Sequence, residues 1–209
     1  MAEAVRTVGR ADRAAVTGLL ARAFQDDPAF GWIFPDSADR ARRLPRLFRI
    51  LFDSDAIGMR LLTAHGAAAT LWRPPGRIHT SRWDMIRHGP ALLWALGPAL
   101  RRALAVADAI DAHMPNGDFW YLHVAGCDPA HQGRGHGAAA VRGGLTRAAG
   151  RLPAYLETPT ERNLGFYRGL GFEVTGEWTV PGGGPRFWSM LRPADGQNSP
   201  GTNRFTRAA

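Results

Sequence analysis

The glycine-rich run of residues 131–137 has the residue types of a phosphate-binding loop. It reads His-Gln-Gly-Arg-Gly-His-Gly and lies between a strand-like apolar stretch and a helix-like one. Glycine has no Cβ atom, so the backbone N–H groups of such a loop can approach an anion closely. A helix that starts here adds free N–H donors and the positive end of its dipole. The run therefore indicates a phosphate group at the start of a helix.

Two common phosphate loops do not fit this spacing. The dinucleotide-binding pattern requires G-x-G-x-x-G, whereas these glycines stand at positions 133, 135 and 137. A Walker loop requires a lysine, and the chain contains none. An ordinary glycine-rich turn remains the alternative interpretation.

A second set of polar side chains follows the glycine run. Glu157 ends a short apolar stretch, and Asn163 and Tyr167 then stand one helical turn apart, on the same helix face. Glu157 is a candidate general base for removing a proton from an amine, directly or through a water. A carboxylate that only closes a hydrogen bond is an equally good interpretation of Glu157, and a packed helix tyrosine is the alternative for Tyr167.

These two motifs, in this order, resemble those of the GNAT superfamily of N-acetyltransferases. Residues 119–192 resemble in particular the puromycin N-acetyltransferases and their actinobacterial relatives. The matching segments are Trp-Tyr-Leu, Asp-Pro-Ala-His-Gln-Gly-Arg-Gly, Leu-Glu-Thr, Arg-Asn-Leu-Gly-Phe-Tyr and Val-Pro-Gly. The N-terminal half matches more loosely, through Ala23-Phe24 and Asp26-Asp27-Pro28. The resemblance thus covers the acetyl donor side better than the acceptor side.

The resemblance implies direct transfer of acetyl from acetyl-CoA to a primary amine of a small molecule, an antibiotic or a metabolite. Tyr167 would donate a proton to the departing thiolate, and Asn163 would contact CoA. Backbone groups of Ala125, Gly126 and Cys127 would pair with the pantetheine arm as an added strand does. The pyrophosphate would be held by the loop and helix start, namely Gln132, Gly133, Arg134, Gly135, His136, Gly137 and Ala138. An acetyl-cysteine intermediate on Cys127 is disfavoured, because this position falls where backbone contacts to CoA are expected.

The acceptor side offers weaker signals. Asp26, Asp27, Trp32 and Trp120 are candidates for lining a pocket for a cationic, partly aromatic amine, although surface aspartates and core tryptophans are common. His123 should share a strand face with Ala125 and so point to the site, although a lone strand histidine is more often structural. The seven histidines and one cysteine show no metal-ligand spacing, so no metal is predicted.

Three other functions remain open. The acceptor is in one case a protein N-terminus or lysine. In another the acyl donor is an aminoacyl-tRNA, which a chain of net charge +8 could hold electrostatically. In the third the protein is a CoA-binding sensor without catalysis. Other nucleic-acid binding is not predicted, because the charge comes from dispersed arginines with no block of like charges.

The elements around the motifs predict an α/β (α+β) fold of the GNAT type, a mixed sheet of about six to seven strands flanked by helices. Residues 118–127, 137–149 and 154–157 form a strand, a helix and a parallel strand. Helices are expected over 11–24, from 36 or 37 to 52, and over 161–170, and hairpins over 59–72 and 172–191. A helical insertion at about 78–115, divided by Pro90 and Pro98, precedes the cofactor-binding strand.

Length and composition limit the domain organisation and the cellular compartment that we expect. Residues 1–192 are expected to form one domain and 193–209 a disordered tail. The chain is 45% hydrophobic and 21% charged, as in soluble globular proteins, and has no apolar run of membrane-spanning length. No signal peptide is expected, because the first residues contain no apolar stretch. A single cysteine fits a reducing, cytoplasmic compartment. The chain is expected to act as a monomer or homodimer.

Overall fold

A seven-stranded mixed sheet forms the centre of the protein. The computed structural model describes residues 3–78, 82–148 and 152–195, with side chains of the fourth helix described from residue 89 onward. The strands are β1 (Val5–Thr7), β2 (Met59–Thr63), β3 (Ala68–Arg73), β4 (Trp120–Cys127), β5 (Ala154–Thr158), β6 (Glu173–Thr179) and β7 (Arg186–Arg192). Their order is β1-β2-β3-β4-β5-β7-β6, and only β4 and β5 run parallel. The predicted mixed sheet and its parallel β-α-β unit are confirmed.

Seven α-helices flank the sheet in the described part of the chain. They are α1 (Arg13–Ala23), α2 (Pro28–Ile33), α3 (Ser37–Ser54), α4 (Arg82–Leu96), α5 (Leu100–His113), α6 (His136–Arg147) and α7 (Asn163–Arg168). Asp36 caps α3 as predicted, because its side chain accepts a hydrogen bond from Asp39 N at 2.6 Å. The short helix α2 was not predicted, although Asp27 followed by Pro28 is a favourable helix start.

The helical insertion is divided at one proline only. Helix α4 continues through Pro90, contrary to the prediction, and the chain breaks at Gly97, whose φ is +52°. Ala95 and Leu96 at the end of α4 are buried, and the Ala95 carbonyl accepts from Arg43 of α3. Tertiary packing therefore outweighs the local tendency of Pro90 to end a helix. The predicted tail lies outside the described residues from 196 onward.

Two apolar cores lie on opposite faces of the sheet. Neighbouring residues of a strand point to opposite faces, and Leu71 and Trp72 of β3 accordingly join different cores. Leu71 belongs with the helices α1 to α5, and Trp72 with α6 and α7. Helix α6 lies close against the sheet, because a Cβ atom on Gly144 would be 2.3 Å from the Trp72 ring. This contact sets how closely the second half of α6 packs on β3.

Strand β4 bulges at His123 and separates from β5. Leu71 pairs with Val124 and Trp72 with Leu122, so His123 is an extra residue in the ladder. On its other edge, β4 pairs with β5 only at Trp120 and Tyr121. The two parallel strands diverge from there, which leaves an opening in the sheet beside residues 123–127.

Candidate active site

A cavity of about 610 Å³ lies where β4 ends and α6 begins. Its wall contains thirteen residues that the sequence predicted for the site. They are Asp26, Asp27, Ala125, Gly126, Cys127, Gln132, Gly133, Gly135, His136, Gly137, Ala138, Asn163 and Tyr167. Arg134 is exposed and stands between two of the lining glycines. The cavity thus joins the glycine loop to the second motif.

The glycine loop adopts a conformation that favours glycine at two positions. Gly133 has φ +76° and Gly135, which caps α6, has φ +85°. An added Cβ atom would meet no protein atom within 4 Å at either position. The restriction is therefore in the backbone, while the space next to it is free. The first turn of α6 lines the cavity, where N–H groups without helical partners suit a phosphate.

Side chains hold this loop at both ends. Arg22 at the end of α1 forms a 2.7 Å ion pair with Asp128, and Gln132 Nε2 donates to the Cys127 carbonyl at 3.4 Å. His136 Nδ1 lies 2.6 Å from a carboxylate oxygen of Glu3. The loop is therefore tied to the first helix, to β4 and to the N-terminal segment.

The edge of β4 that faces the opening can accept an extended chain. Ala125 and Gly126 pair with β3 on one side only, because β5 has already diverged. Gly126 is required by packing, since its Cβ atom would lie 2.8 Å from Leu20 of α1. Main-chain groups at such an edge bind a ligand in the way an added strand would.

The side chains of Glu157 and Tyr167 lie on opposite faces of the sheet. Leu156 shares the α6–α7 core with Tyr167, and strand alternation therefore places Glu157 on the other face. Glu157 is not among the residues that line the cavity described above. Its charge nevertheless contributes to raising the pKa of Tyr167, after the larger effect of burial. The two groups therefore interact electrostatically although they lie on opposite faces.

Burial controls the chemistry of Glu157. It raises the pKa of this carboxyl from 4.5 to about 8, against the opposing effects of a hydrogen bond from Tyr121 and the charge of Arg73. Oε1 accepts the Tyr121 bond, while Oε2 is buried and has no hydrogen-bond partner among the described residues. A carboxyl with a pKa near neutrality and a free oxygen is suited to proton transfer.

A buried charge cluster beside Glu157 was not predicted. Asp55, which is fully buried, lies 2.7 Å from Arg73 Nε and 2.6 Å from His123 Nδ1. Burial alone would raise the pKa of Asp55, but the interactions with His123 and Arg73 outweigh it and lower that pKa. His123 is thus engaged by Asp55, whereas Ala125 packs against the α6–α7 core. The expectation that His123 and Ala125 share a strand face is wrong, because the bulge interrupts the alternation.

The predicted acceptor residues do not form one pocket. Asp27 lines the cavity but also caps α2, accepting hydrogen bonds from Ala29 N at 2.9 Å and Phe30 N at 3.2 Å, and burial raises its pKa to about 6. Trp32 instead lines a second cavity of about 570 Å³ between α2 and α5. Trp120 packs against the α6–α7 core at the far end of β4 from the glycine loop. The grouping of these tryptophans with Asp26 and Asp27 is therefore wrong.

Several residues near the site were not among the predicted site residues, although some of them are neighbours of predicted ones. Arg162 and Phe166 adjoin Asn163 and Tyr167, and Tyr121 stands two positions before His123 on one strand. Phe24 also lines the cavity and belongs to the Ala23-Phe24 segment of the resemblance. Arg22 and Thr70 line it too, and only their position in the fold identifies them.

The described residues lack two further features. No group of three or more histidine, cysteine or acidic side chains there could hold a metal ion. No described helix has the length and apolarity needed to cross a membrane.

Solved structures share this architecture over nearly the whole chain. A histone acetyltransferase HPA2 and related acetyltransferase from Corynebacterium glutamicum aligns with a TM-score of 0.72 at 23% identity, over 97% of this chain and 100% of that one. The fold is that of the GNAT acetyltransferases. A GNAT family acetyltransferase from Brucella melitensis in complex with acetyl-CoA aligns with a TM-score of 0.50 at 17% identity, over 94% of this chain and 90% of that one.

A third solved structure with a similar fold is an arylalkylamine N-acetyltransferase 2 from Aedes aegypti. It aligns with a TM-score of 0.58 at 12% identity, over 91% of this chain and 98% of that one. No protein-family model matches the sequence. At these identities the likeness establishes the fold, and the chemistry has to be argued from the residues of the site.

Proposed function

We propose that the protein is an N-acetyltransferase that moves acetyl from acetyl-CoA to the primary amine of a small molecule. One observation carries the proposal: a single cavity combines the open edge of β4, the glycine loop at the start of α6, and Tyr167. Each part suits a different portion of acetyl-CoA. The acetyltransferases of the same fold support this interpretation.

The donor would bind along the cavity. The edge at Ala125 to Cys127 pairs with the pantetheine arm, and the turn from Gln132 to Ala138 holds the pyrophosphate. An N–H group at this edge also polarises the thioester carbonyl, as an oxyanion-hole donor does. Asn163, whose Nδ2 donates to Thr158 Oγ1 at 3.4 Å, stands at the start of α7 beside the arm. Binding far from the reacting atoms thus fixes their position, which is what direct transfer requires.

The acceptor amine would approach from the sheet face that carries Glu157. An ammonium group gives one proton to Glu157, directly or through a water, and its nitrogen then bonds to the acetyl carbon. The carbon–sulfur bond breaks, and Tyr167 on the opposite face protonates the thiolate. The second amine proton replaces the one that Tyr167 gives up. The divergence of β4 and β5 after Tyr121 would provide the passage between the two faces that this route requires.

Cys127 takes no covalent part in this mechanism. Burial raises the pKa of its thiol, with a smaller contribution from the charge of Asp128. A neutral thiol is a weak nucleophile. Transfer is therefore direct, without an acetyl-cysteine.

The acceptor is proposed to be a cationic, partly aromatic amine, either an antibiotic or a metabolite. The resemblance of residues 119–192 to the puromycin N-acetyltransferases supports this class. Asp26 and Asp27 on the cavity wall add negative charge that attracts a cation. The arylalkylamine acetyltransferase of the same fold is named for an amine of this kind.

Thiol release from acetyl-CoA, measured against a panel of small amines, tests the proposal. Calorimetric titration with CoA measures donor binding independently. Turnover with one or more amines is the expected result, and absence of both CoA binding and turnover would refute the proposal. CoA binding without turnover would favour a sensor, and acetylation of a protein a modifying enzyme. Salt-sensitive tRNA binding without CoA affinity would favour an aminoacyl-tRNA donor.

A further inference from the structure

Tyr121 is a buried phenol that contacts the proposed base. It lies on β4, is 2% exposed, and donates a hydrogen bond to Glu157 Oε1. The chain has three tyrosines. Tyr167 lines the cavity, and the Tyr155 hydroxyl instead lies 2.9 Å from Ser189 Oγ. Tyr121 is thus the tyrosine whose hydroxyl meets the Glu157 carboxylate.

The Tyr121 ring is held in place by its neighbours. Its centroid lies 5.3 Å from that of His123 and 6.0 Å from that of Tyr155. Tyr121 also stands opposite Arg73 in the β3–β4 ladder. His123 is in turn fixed by Asp55 at 2.6 Å, which Arg73 holds at 2.7 Å. The phenol therefore packs beside a histidine that a buried carboxylate holds in place.

The cluster of Asp55, Arg73 and His123 also anchors the bulge in β4. Arg73 Nη1 donates to the Ile78 carbonyl at 2.7 Å, so the far end of the cluster is tied to the backbone after β3. The side chains of Asp55, Arg73 and His123 are exposed by 0%, 10% and 17%. Buried polar networks whose members all have partners are rigid.

The hydrogen bond makes the two oxygens of Glu157 inequivalent. Oε1 is occupied by Tyr121, and Oε2 is buried without a hydrogen-bond partner among the described residues. A fixed Oε1 leaves only Oε2 to receive a proton. The position of that oxygen is then set by the phenol and, through it, by the bulge in β4.

On the basis of the proposed function, we infer that Tyr121 is a positioning residue for Glu157, and that it directs Oε2 to the proton of the acceptor amine. The proton moves from the amine nitrogen to Oε2, and the nitrogen lone pair then forms the bond to the acetyl carbon. The carbon–sulfur bond breaks, Tyr167 protonates the sulfur, and the second amine proton replaces the one that Tyr167 gives up. Tyr121 keeps its own proton throughout, since burial and the nearby Glu157 charge hold its pKa well above its usual value.

Charged and titratable groups face Glu157 from several elements. They are Tyr121 on β4, Arg73 on β3, Asp111 on α5, Tyr155 on β5 and Tyr167 on α7. Burial and the charge of Asp111 raise the pKa of Glu157, whereas Tyr121 and Arg73 lower it. Removal of the Tyr121 hydroxyl alone should therefore raise this pKa further and leave the other groups in place.

Carbon-13 labelling of the glutamate carboxyls provides a direct measurement. The chain has only five glutamates, and Glu157→Gln identifies the Glu157 resonance in the NMR spectrum. In Tyr121→Phe we expect the pKa of Glu157 to rise by about one pH unit or more, the effect of losing a hydrogen bond to a charged group. The matched control Tyr155→Phe removes a buried hydroxyl that is bonded to Ser189, and should leave the Glu157 pKa unchanged.

Kinetics then distinguish positioning from a structural role. In Tyr121→Phe the acid limb of the kcat profile should move to higher pH with the Glu157 pKa, while KM for acetyl-CoA stays constant. Incorporation of a ring-fluorinated tyrosine at position 121 keeps the bond and the packing. This more acidic phenol donates more strongly and should lower the Glu157 pKa.

The possible outcomes separate the two proposals. An unchanged Glu157 pKa in both Tyr121→Phe and the fluorinated protein, or an equal change in Tyr155→Phe, would overturn the role of Tyr121. The proposal that the unmodified protein transfers acetyl would not be affected by that result. A protein that binds no CoA and acetylates no amine would instead remove the proposed function, and the role of Tyr121 in catalysis with it.

Discussion

Replacement of Glu157 by glutamine tests the buried carboxyl through stability, without reference to activity. Burial raises the pKa of Glu157 from 4.5 to about 8 in the folded protein. The folded state therefore holds this proton more tightly than the unfolded chain does. Its stabilising effect is fully present below about pH 4.5 and is lost as pH rises through about 8. Glutamine has no proton to lose, so Glu157→Gln escapes this loss.

The magnitude follows from the difference between the two pKa values. At about 1.4 kcal/mol per pKa unit, the change from 4.5 to about 8 corresponds to about 5 kcal/mol. Glu157 as a whole residue is only half-buried, and relaxation of its surroundings when the carboxyl ionises reduces this cost. We therefore expect about 2–4 kcal/mol of additional unfolding free energy for Glu157→Gln above about pH 9, about 1 kcal/mol or less near pH 5, and almost none below about pH 4.

Urea unfolding, followed by tryptophan fluorescence, measures this difference at a series of pH values. The comparison of the two proteins at each pH removes the contributions of other titrating groups, including Asp27, whose pKa burial also raises. The amide oxygen of glutamine can still accept the Tyr121 hydrogen bond, so packing is preserved. A stability difference that does not change with pH, or one that decreases as pH rises, would refute the assignment of a raised pKa to Glu157.

Three further predictions concern the proposed donor site. Tyr167→Phe should lower kcat by about 100-fold with little change in KM for acetyl-CoA, because only the proton donor is lost. Thiol-release kinetics measure both constants, and an unchanged kcat would exclude Tyr167 as the donor. Gly135→Ala should weaken CoA binding by about 10-fold or more in calorimetry, because alanine at φ +85° is strained. Gly165→Ala, also in open space but without positive φ, is the control, and equal affinities for the two variants would contradict the role of the loop. Cys127→Ala should retain acetyl transfer, and mass spectrometry should find no acetylated enzyme in the unmodified protein; an acetyl-cysteine would replace direct attack by a two-step mechanism.

Local chemistry made much of the donor side predictable. The glycine run was identified because only glycine readily adopts positive φ, and Gly133 and Gly135 adopt it. Asp36 was identified as a helix start because its short side chain can accept from the helix backbone. Both signals depend on residues within a few positions of each other. They did not require knowledge of the rest of the fold.

The acceptor side depended on contacts between distant segments. Asp55 meets Arg73 and His123 only after β3 and β4 pair in the sheet, and no spacing in the sequence indicates that meeting. The predicted orientation of the His123 side chain is wrong for the same reason. Without the bulge, alternation along β4 would place His123 and Ala125 on one face. The bulge arises from the pairing of β3 with β4, which the sequence of β4 alone does not reveal.

The sequence by itself determined that a glycine-rich loop precedes a helix, and that Glu157, Asn163 and Tyr167 follow it in a fixed order. These features rest on backbone conformation and helix periodicity, which neighbouring residues decide. Tertiary structure alone decided that β4 and β5 diverge, that Glu157 and Tyr167 stand on opposite faces of that opening, and that Tyr121 occupies one carboxylate oxygen. Strand register, burial and the pKa of Glu157 arise only when segments far apart in the chain are packed together.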